Sequence, residues 1–256
     1  MASKRLEEEP DQNLIYKMPD GYEDDKGKSL ILGNPVKRLS HKRAWYRIER
    51  RQSVIKRHEL ARWYYGLQKL THRYDINQAE MMKDYFLLVL FTGLRREEAA
   101  RLQWKNVDFK DRTLTVTKTK NGQVHTLPLS TFLYELLLRR KEEVLSEFVF
   151  PATNGKKGHL TEPRKAMLKV GKESGIGFTV HDLRRTFITL AESLDIPVYV
   201  LKRLLNHTLV TDVTAGYVVI NIERLRKPMQ LITDTLVKLM GIENTVNKTN
   251  EQVITI

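Results

Sequence analysis

Between Asp84 and Thr92 the chain runs Tyr85-Phe86-Leu87-Leu88-Val89-Leu90-Phe91, with no charged side chain to keep any part of that run in water. The residues before it supply the period. Leu60, Trp63, Tyr64, Leu67 and Leu70 recur three and four apart, as one face of a helix does. Two packed helices are therefore expected. Thr92-Gly93 breaks the run, and a further helix is expected from Arg96 to about Gln103, with Glu97 and Glu98 in its first turn, where carboxylates suit the dipole. No uncharged apolar stretch reaches the ~20 residues of a membrane-spanning helix, and the N-terminus lacks the apolar core of a signal peptide. An intracellular protein without a membrane partner is expected.

Helical patterns continue at 131–145, 162–173, 181–193, 198–205 and 222–240, with another helix expected to carry Tyr217. Only 113–129 changes character. There Leu114, Val116, Val124 and Leu127 flank Lys120-Asn121-Gly122 as two β-prone runs around an Asn-Gly turn. The fold class is read as mainly α with a small antiparallel β-sheet (α+β). With 256 residues, 41% of them hydrophobic, the chain has room for one large domain and a small appendage.

Charge is unevenly spread. Forty-four Lys and Arg against thirty-one Asp and Glu leave a formal +13, which favours a polyanionic partner through phosphate contacts and counterion release. Residues 1 to about 34 are acidic and rich in turn-formers, an irregular or mobile arm. The sign then reverses: Lys37, Arg38, Lys42, Arg43, Arg47, Arg50 and Arg51 stand among Trp45, Tyr46 and Ile48. Such a segment is either a solvated basic face or a surface that tracks a DNA backbone, and the interleaved aromatics favour DNA. At the other end, the tail from Ile242 is polar until Val253-Ile254-Thr255-Ile256. Those β-prone residues are expected to dock as an added strand, in trans or in cis, with a disordered tail as the alternative.

The chain has no cysteine. That excludes disulfides, thiolate zinc sites and cysteine nucleophiles, so covalent catalysis would need Ser, Thr, Tyr, Lys or a carboxylate. His41, His58, His72, His125, His159, His181 and His207 show no metal-binding spacing, and phosphate-binding Gly-rich loops are missing. Neither a metal nor a cofactor is expected.

Arg95, Lys120, His181, Arg184, His207 and Tyr217 stand at element boundaries or inside apolar patterns. Alone, each is a surface charge or a core aromatic. Together, Thr92-Gly93-Leu94-Arg95 with Glu98, a hairpin lysine, His181-Asp182-Leu183-Arg184, Leu205-Asn206-His207 and a downstream Tyr217 resemble, in order, the signature of the tyrosine recombinase (phage integrase) family. The likeness covers about residues 35 to 241. Asn34-Pro35-Val36-Lys37-Arg38-Leu39-Ser40 also resembles the linker before the catalytic domain in integrases of prophages and genomic islands.

The resemblance implies the catalytic-domain fold of that family and a role for each residue. Arg95 and Arg184 would hold the non-bridging oxygens of the scissile phosphate, a task suited to planar paired donors. His181, three residues before Arg184, would share its helical face, and His207 would donate a further hydrogen bond. Lys120 would protonate the departing 5′ oxygen; it stands at the family's register before Pro128, with Lys118 as the alternative. Glu98 would support the arginine-bearing turn. Tyr217 would be the nucleophile, forming a 3′-phosphotyrosine, although its distance from His207 is one residue longer than the family's usual spacing.

The resemblance further implies site-specific recombination of double-stranded DNA, in integration or excision, by a homo-tetramer on paired sites that is a monomer when free. Its setting would be the bacterial cytoplasm, in association with the nucleoid. Residues 1–40 would be an arm and basic linker at the end of a missing core-binding domain. Residues 41–256 would be the catalytic domain, with 242–256 as its tail, and the chain either an isolated domain or a truncated product. Relaxation of DNA in the manner of a type IB topoisomerase, and a DNA-binding remnant without activity, are the alternatives.

Overall fold

The structure is a computed structural model that describes residues 53–71, 76–119, 122–143, 145–152, 157–206 and 221–242. The chain divides into two units, Met1–Gln52 and Ser53–Ile256. All the described residues belong to the second, and the expected domain division at residue 40 lies outside them.

Among the described residues the helices are α1 (Leu60–Gln68), α2 (Ile76–Thr92), α3 (Arg96–Ala100), α4 (Thr131–Glu143), α5 (Arg164–Ser174), α6 (Val180–Glu192), α7 (Val198–Leu204) and α8 (Glu223–Met240). Strands β1 (Val107–Asp108), β2 (Thr113–Val116) and β3 (His125–Pro128) form one antiparallel sheet in that order. The mainly helical fold class with a small antiparallel sheet is therefore borne out.

The apolar run lies at the centre. Residues Met81 to Thr92 of α2 are all buried, because α6, α4, α3 and α8 pack around this part of the helix. Aromatic rings link the layers: Phe86 meets Phe178 edge-on at 5.6 Å, Trp63 meets the same Phe178 at 5.6 Å, and Phe91 stacks on Phe132 at 4.4 Å. Such pairs add roughly 0.5–1.5 kcal/mol beyond the area they bury. Helix α1 packs on α5 at a crossing that requires Gly66, where a Cβ would lie 2.6 Å from that of Ser174.

An ion pair is buried in this core. Asp84 on α2 is buried and takes Arg139 at 2.5 Å and Arg140 at 3.2 Å from α4. Burial raises its pKa, and the two guanidiniums oppose that. Arg140 also donates to the Val149 carbonyl at 2.8 Å and covers the Phe150 ring, so the carboxylate ties α2 to both α4 and the segment after it.

Three details differ from expectation. The helix starting at Arg96 stops at Ala100, because Val149 donates to the Leu102 carbonyl and Gln103 pairs with Phe148. A third strand appears, β1, pairing Val107 with Leu114. The paired part of the hairpin is shorter than its two β-prone runs: pairing ends at Val116 and His125, Val124 is exposed, and Lys120 and Asn121 of the expected turn lie outside the described residues. Val124 therefore belongs to the connecting loop, where Thr119 Oγ1 donates to the Gln123 carbonyl.

Candidate active site

The site grows from three chain ends that the sequence makes locally rigid. First, α2 terminates at Thr92-Gly93. Thr92 Oγ1 donates to the Leu88 carbonyl at 2.6 Å and accepts from the Leu94 amide, and the Gly93 amide donates to the Val89 carbonyl. Gly93 takes φ 65°, and a Cβ on it would come within 2.7 Å of the Phe187 ring on α6. Only glycine lets the loop lie this close to that helix.

The loop delivers Arg95 to the N-terminus of α3. Glu98, buried in the first turn, accepts the Arg95 amide at 2.9 Å and its guanidinium at 2.9 Å. One carboxylate thus sets both the backbone and the side-chain direction of Arg95, whose side chain remains 27% exposed. That exposure leaves donors available for a ligand.

Second, α6 begins with a capping box. Thr179 donates to Asp182 through its amide and hydroxyl, each at 2.8 Å, and the Asp182 amide returns a bond to the hydroxyl. Asp182 also accepts Ser53 Oγ at 2.8 Å and Arg185 at 3.1 Å. The helix start is therefore pinned, and His181 and Arg184 on either side of Asp182 are pinned with it.

Arg184 points inward and is buried. It donates to the Gly93 carbonyl and, at 3.1 Å, to the Leu205 carbonyl. Burial first, and then the neighbouring Arg95, lower its pKa to about 10, with Glu98 opposing. It is charged at neutral pH. Two guanidiniums against one carboxylate make a small, partly desolvated site with an excess of positive charge, which suits an anion that accepts paired hydrogen bonds.

His181 is on the exposed side of the same turn. Partial burial, then Arg185, Arg184 and Arg95, hold its pKa below the ordinary imidazole value against the pull of Asp182. The shift favours the neutral imidazole, the form that can accept a proton.

Third, α7 ends at Leu204, and Asn206 turns the chain with φ 50°. The Leu204 carbonyl is bonded at 3.1 Å to Nε2 of His125, the first residue of β3. A carbonyl only accepts, so His125 carries its proton on Nε2. Glu98, Arg184 and Arg95 all act on this imidazole. The sequence reading had passed over His125, and the available signal was alternation: 125 and 127 share a strand face, and Leu127 is fully buried.

Of the residues singled out from the sequence, the structure brings Arg95, Glu98, His181 and Arg184 together. Lys120, His207 and Tyr217 lie outside the described residues, as do Lys37, Arg38, Lys42, Arg43, Arg47, Arg50, Arg51 and the tail beyond Ile242. Lys118, the alternative to Lys120, is exposed just after β2. Among the described residues no group of three His, Asp or Glu is arranged to hold a metal ion, and no helix is long and apolar enough to cross a membrane.

Residues 66–224 match the sequence profile of the phage integrase family. The chain is 28% identical over 159 residues to prophage integrase IntF of Escherichia coli, covering 60% of this chain and 32% of that protein. The chain thus spans about a third of the length of this relative. In three dimensions it resembles an integrase from mycobacterium phage Brujita, with a TM-score of 0.54 and 19% identity over 76% of this chain and 65% of that one. It also resembles a lambda integrase dimer bound to a COC′ core site, with a TM-score of 0.53 and 22% identity over 71% of this chain and 65% of that one.

Proposed function

Since the chain belongs to the phage integrase family, we propose that it cuts and rejoins double-stranded DNA at specific sites through a covalent phosphotyrosine. The observation that carries this reading is the convergence of Arg95 and Arg184, with Glu98 holding the first and the Gly93 and Leu205 carbonyls holding the second. A phosphodiester under in-line attack gathers negative charge on its non-bridging oxygens. Donors fixed in advance at those positions stabilise that charge without having to reorganise.

In the proposed reaction the phenolic oxygen of Tyr217 attacks phosphorus and the bond to the 5′ oxygen breaks. The phenolic proton passes to the neutral imidazole of His181, and the 5′ oxygen takes a proton from Lys120. His207 adds a donor to the phosphate. The energy of the broken diester is kept in the tyrosyl ester, so the reverse attack by a 5′ hydroxyl reseals DNA without a nucleotide cofactor. The catalytic part is residues 41–256, with the basic residues from Lys37 to Arg51 following the duplex backbone. Four protomers on two paired sites would complete an integration or excision event in a bacterial cell. The complex of lambda integrase with its core site supports duplex DNA as the partner.

A DNA duplex nicked beside the cleavage site tests the proposal, because loss of the short strand traps the adduct. The wild-type chain is expected to become covalently attached, while Tyr217→Phe binds the duplex and forms no adduct. Arg95→Lys and Arg184→Lys are each expected to slow attachment by roughly a hundredfold, since a point charge does not reproduce paired donors. An adduct in the Phe variant would remove Tyr217 from its role. Retardation of DNA without any adduct in the wild type would make the chain a binding protein.

A further inference from the structure

The last carbonyls of a helix have no partner within it, and how they are satisfied decides where the following chain goes. At the end of α7 two consecutive carbonyls are taken by side chains from elsewhere in the fold. Leu204 accepts from His125 on β3, and Leu205 accepts from Arg184 on α6. Arg184 also donates to the Gly93 carbonyl, in the loop that presents Arg95. Hydrogen bonds therefore join the first residue of β3 and Arg184 to the turn after α7, and Arg184 to the loop whose backbone carries Arg95, with His125 as the link to the sheet.

Elsewhere β3 is held by its ladder with β2 and by packing against α8. Pairing between β2 and β3 ends at His125, so no ladder bond beyond it restrains the strand, and Val124 just before it is exposed. His125 itself is only 6% exposed. An inward-facing imidazole at a strand end, spending its one proton on a helix-end carbonyl beside two guanidiniums, is costly as a core filler, since an aliphatic side chain would fill the space without a buried polar ring.

We propose that His125 is a positioning residue of the active site. Its Nε2–H bond to Leu204 locks the start of β3 onto the turn after α7 and so fixes both relative to the Arg95–Arg184 pocket. The inference rests on the proposed function, because positioning matters only if that pocket holds a reacting phosphate. It assigns His125 no contact with DNA. Loss of the bond lets the strand and the turn shift together, and displacement of about 1 Å around a reacting centre costs on the order of a hundredfold in rate.

The test compares the wild-type chain, His125→Leu and His125→Gln on the nicked duplex, with DNA affinity and the first-order rate of covalent attachment measured separately, well below each variant's melting temperature. Leu fills the space and removes the donor, and Gln restores an N–H of similar reach. The expected result is unchanged affinity in all three, attachment slowed roughly tenfold to a hundredfold in the Leu variant, and a rate within a few-fold of wild type for Gln. A merely structural residue would lower the melting temperature of the Leu variant and leave the folded protein's rate alone. Wild-type rates in the Leu variant, or equal losses with Leu and Gln, overturn the proposal while the functional reading stands. No adduct with the wild-type chain overturns that reading, and this inference with it.

Discussion

Arg184 and His125 are buried beside each other's partners, yet the protein treats their charges in opposite ways. Arg184 keeps its charge because an arginine pKa of about 10 is still far above neutrality. For His125, burial lowers the pKa from 6.5 to about 4; the Leu204 bond and Glu98 oppose the shift, while Arg184 and Arg95 assist it. Protonation would not remove the Nε2–H bond. What it adds is a buried positive charge next to two others. Between pH 6.5 and about 4 the unfolded chain takes up a proton that the folded chain refuses, so stability falls as pH drops through that window and is unaffected by this group above it. At ~1.4 kcal/mol per pH unit, the loss attributable to His125 approaches about 3 kcal/mol near pH 4. Urea denaturation at neutral pH and near pH 4.5 should show wild type losing more stability than His125→Gln by about 2 kcal/mol. Equal losses would mean that the imidazole is not held neutral by the fold.

At the scale of elements, the site is made where helices stop. The end of α2 supplies the Gly93 carbonyl, the start of α3 supplies Arg95, the start of α6 supplies His181 and Arg184, and the end of α7 supplies the Leu204 and Leu205 carbonyls. Gly93 bears most of this geometry. A side chain there meets both a left-handed backbone conformation, which costs roughly 1–2 kcal/mol, and the Phe187 ring at 2.7 Å. Gly93→Ala is expected to destabilise the fold by about 2 kcal/mol or more and, by displacing the carbonyl that Arg184 uses, to slow attachment in molecules that remain folded. Denaturation curves read the first effect and single-turnover cleavage the second. A variant as stable and as active as wild type would mean that the loop can lie elsewhere.

For the whole molecule the governing quantity is the net charge of +13. The two guanidiniums of the proposed site would contact one phosphate, and most of the excess lies beyond them, in segments such as the basic run from Lys37 to Arg51. Binding to duplex DNA of any sequence should therefore be dominated by counterion release and weaken more than tenfold from about 50 to about 200 mM salt. Substituting Lys42, Arg43 and Arg47 with Ala should flatten that dependence, whereas Arg95→Lys should leave it nearly unchanged. A flat salt response in the wild-type chain would separate the charge from DNA binding.

The period of the apolar residues, the break at Thr92-Gly93 and the linear order of Arg95, His181 and Arg184 were enough to read most of the described helices and the fold class, and to single out residues that the fold brings together. These features are local: a helix face recurs within four residues, a cap within three, and Glu98 holds Arg95 across a single turn. The extent of the hairpin strands was misjudged and β1 was missed because strand pairing depends on partners across the sheet, and two residues carry too little pattern to show one. His125 was missed for a related reason. Its partner Leu204 lies 79 residues away, and nothing in the composition of either neighbourhood marks the pairing. Only the packing of β3 against the end of α7 decides that this histidine is buried, neutral and bonded to a helix-end carbonyl, because that bond depends on chain ends that sequence proximity does not bring together.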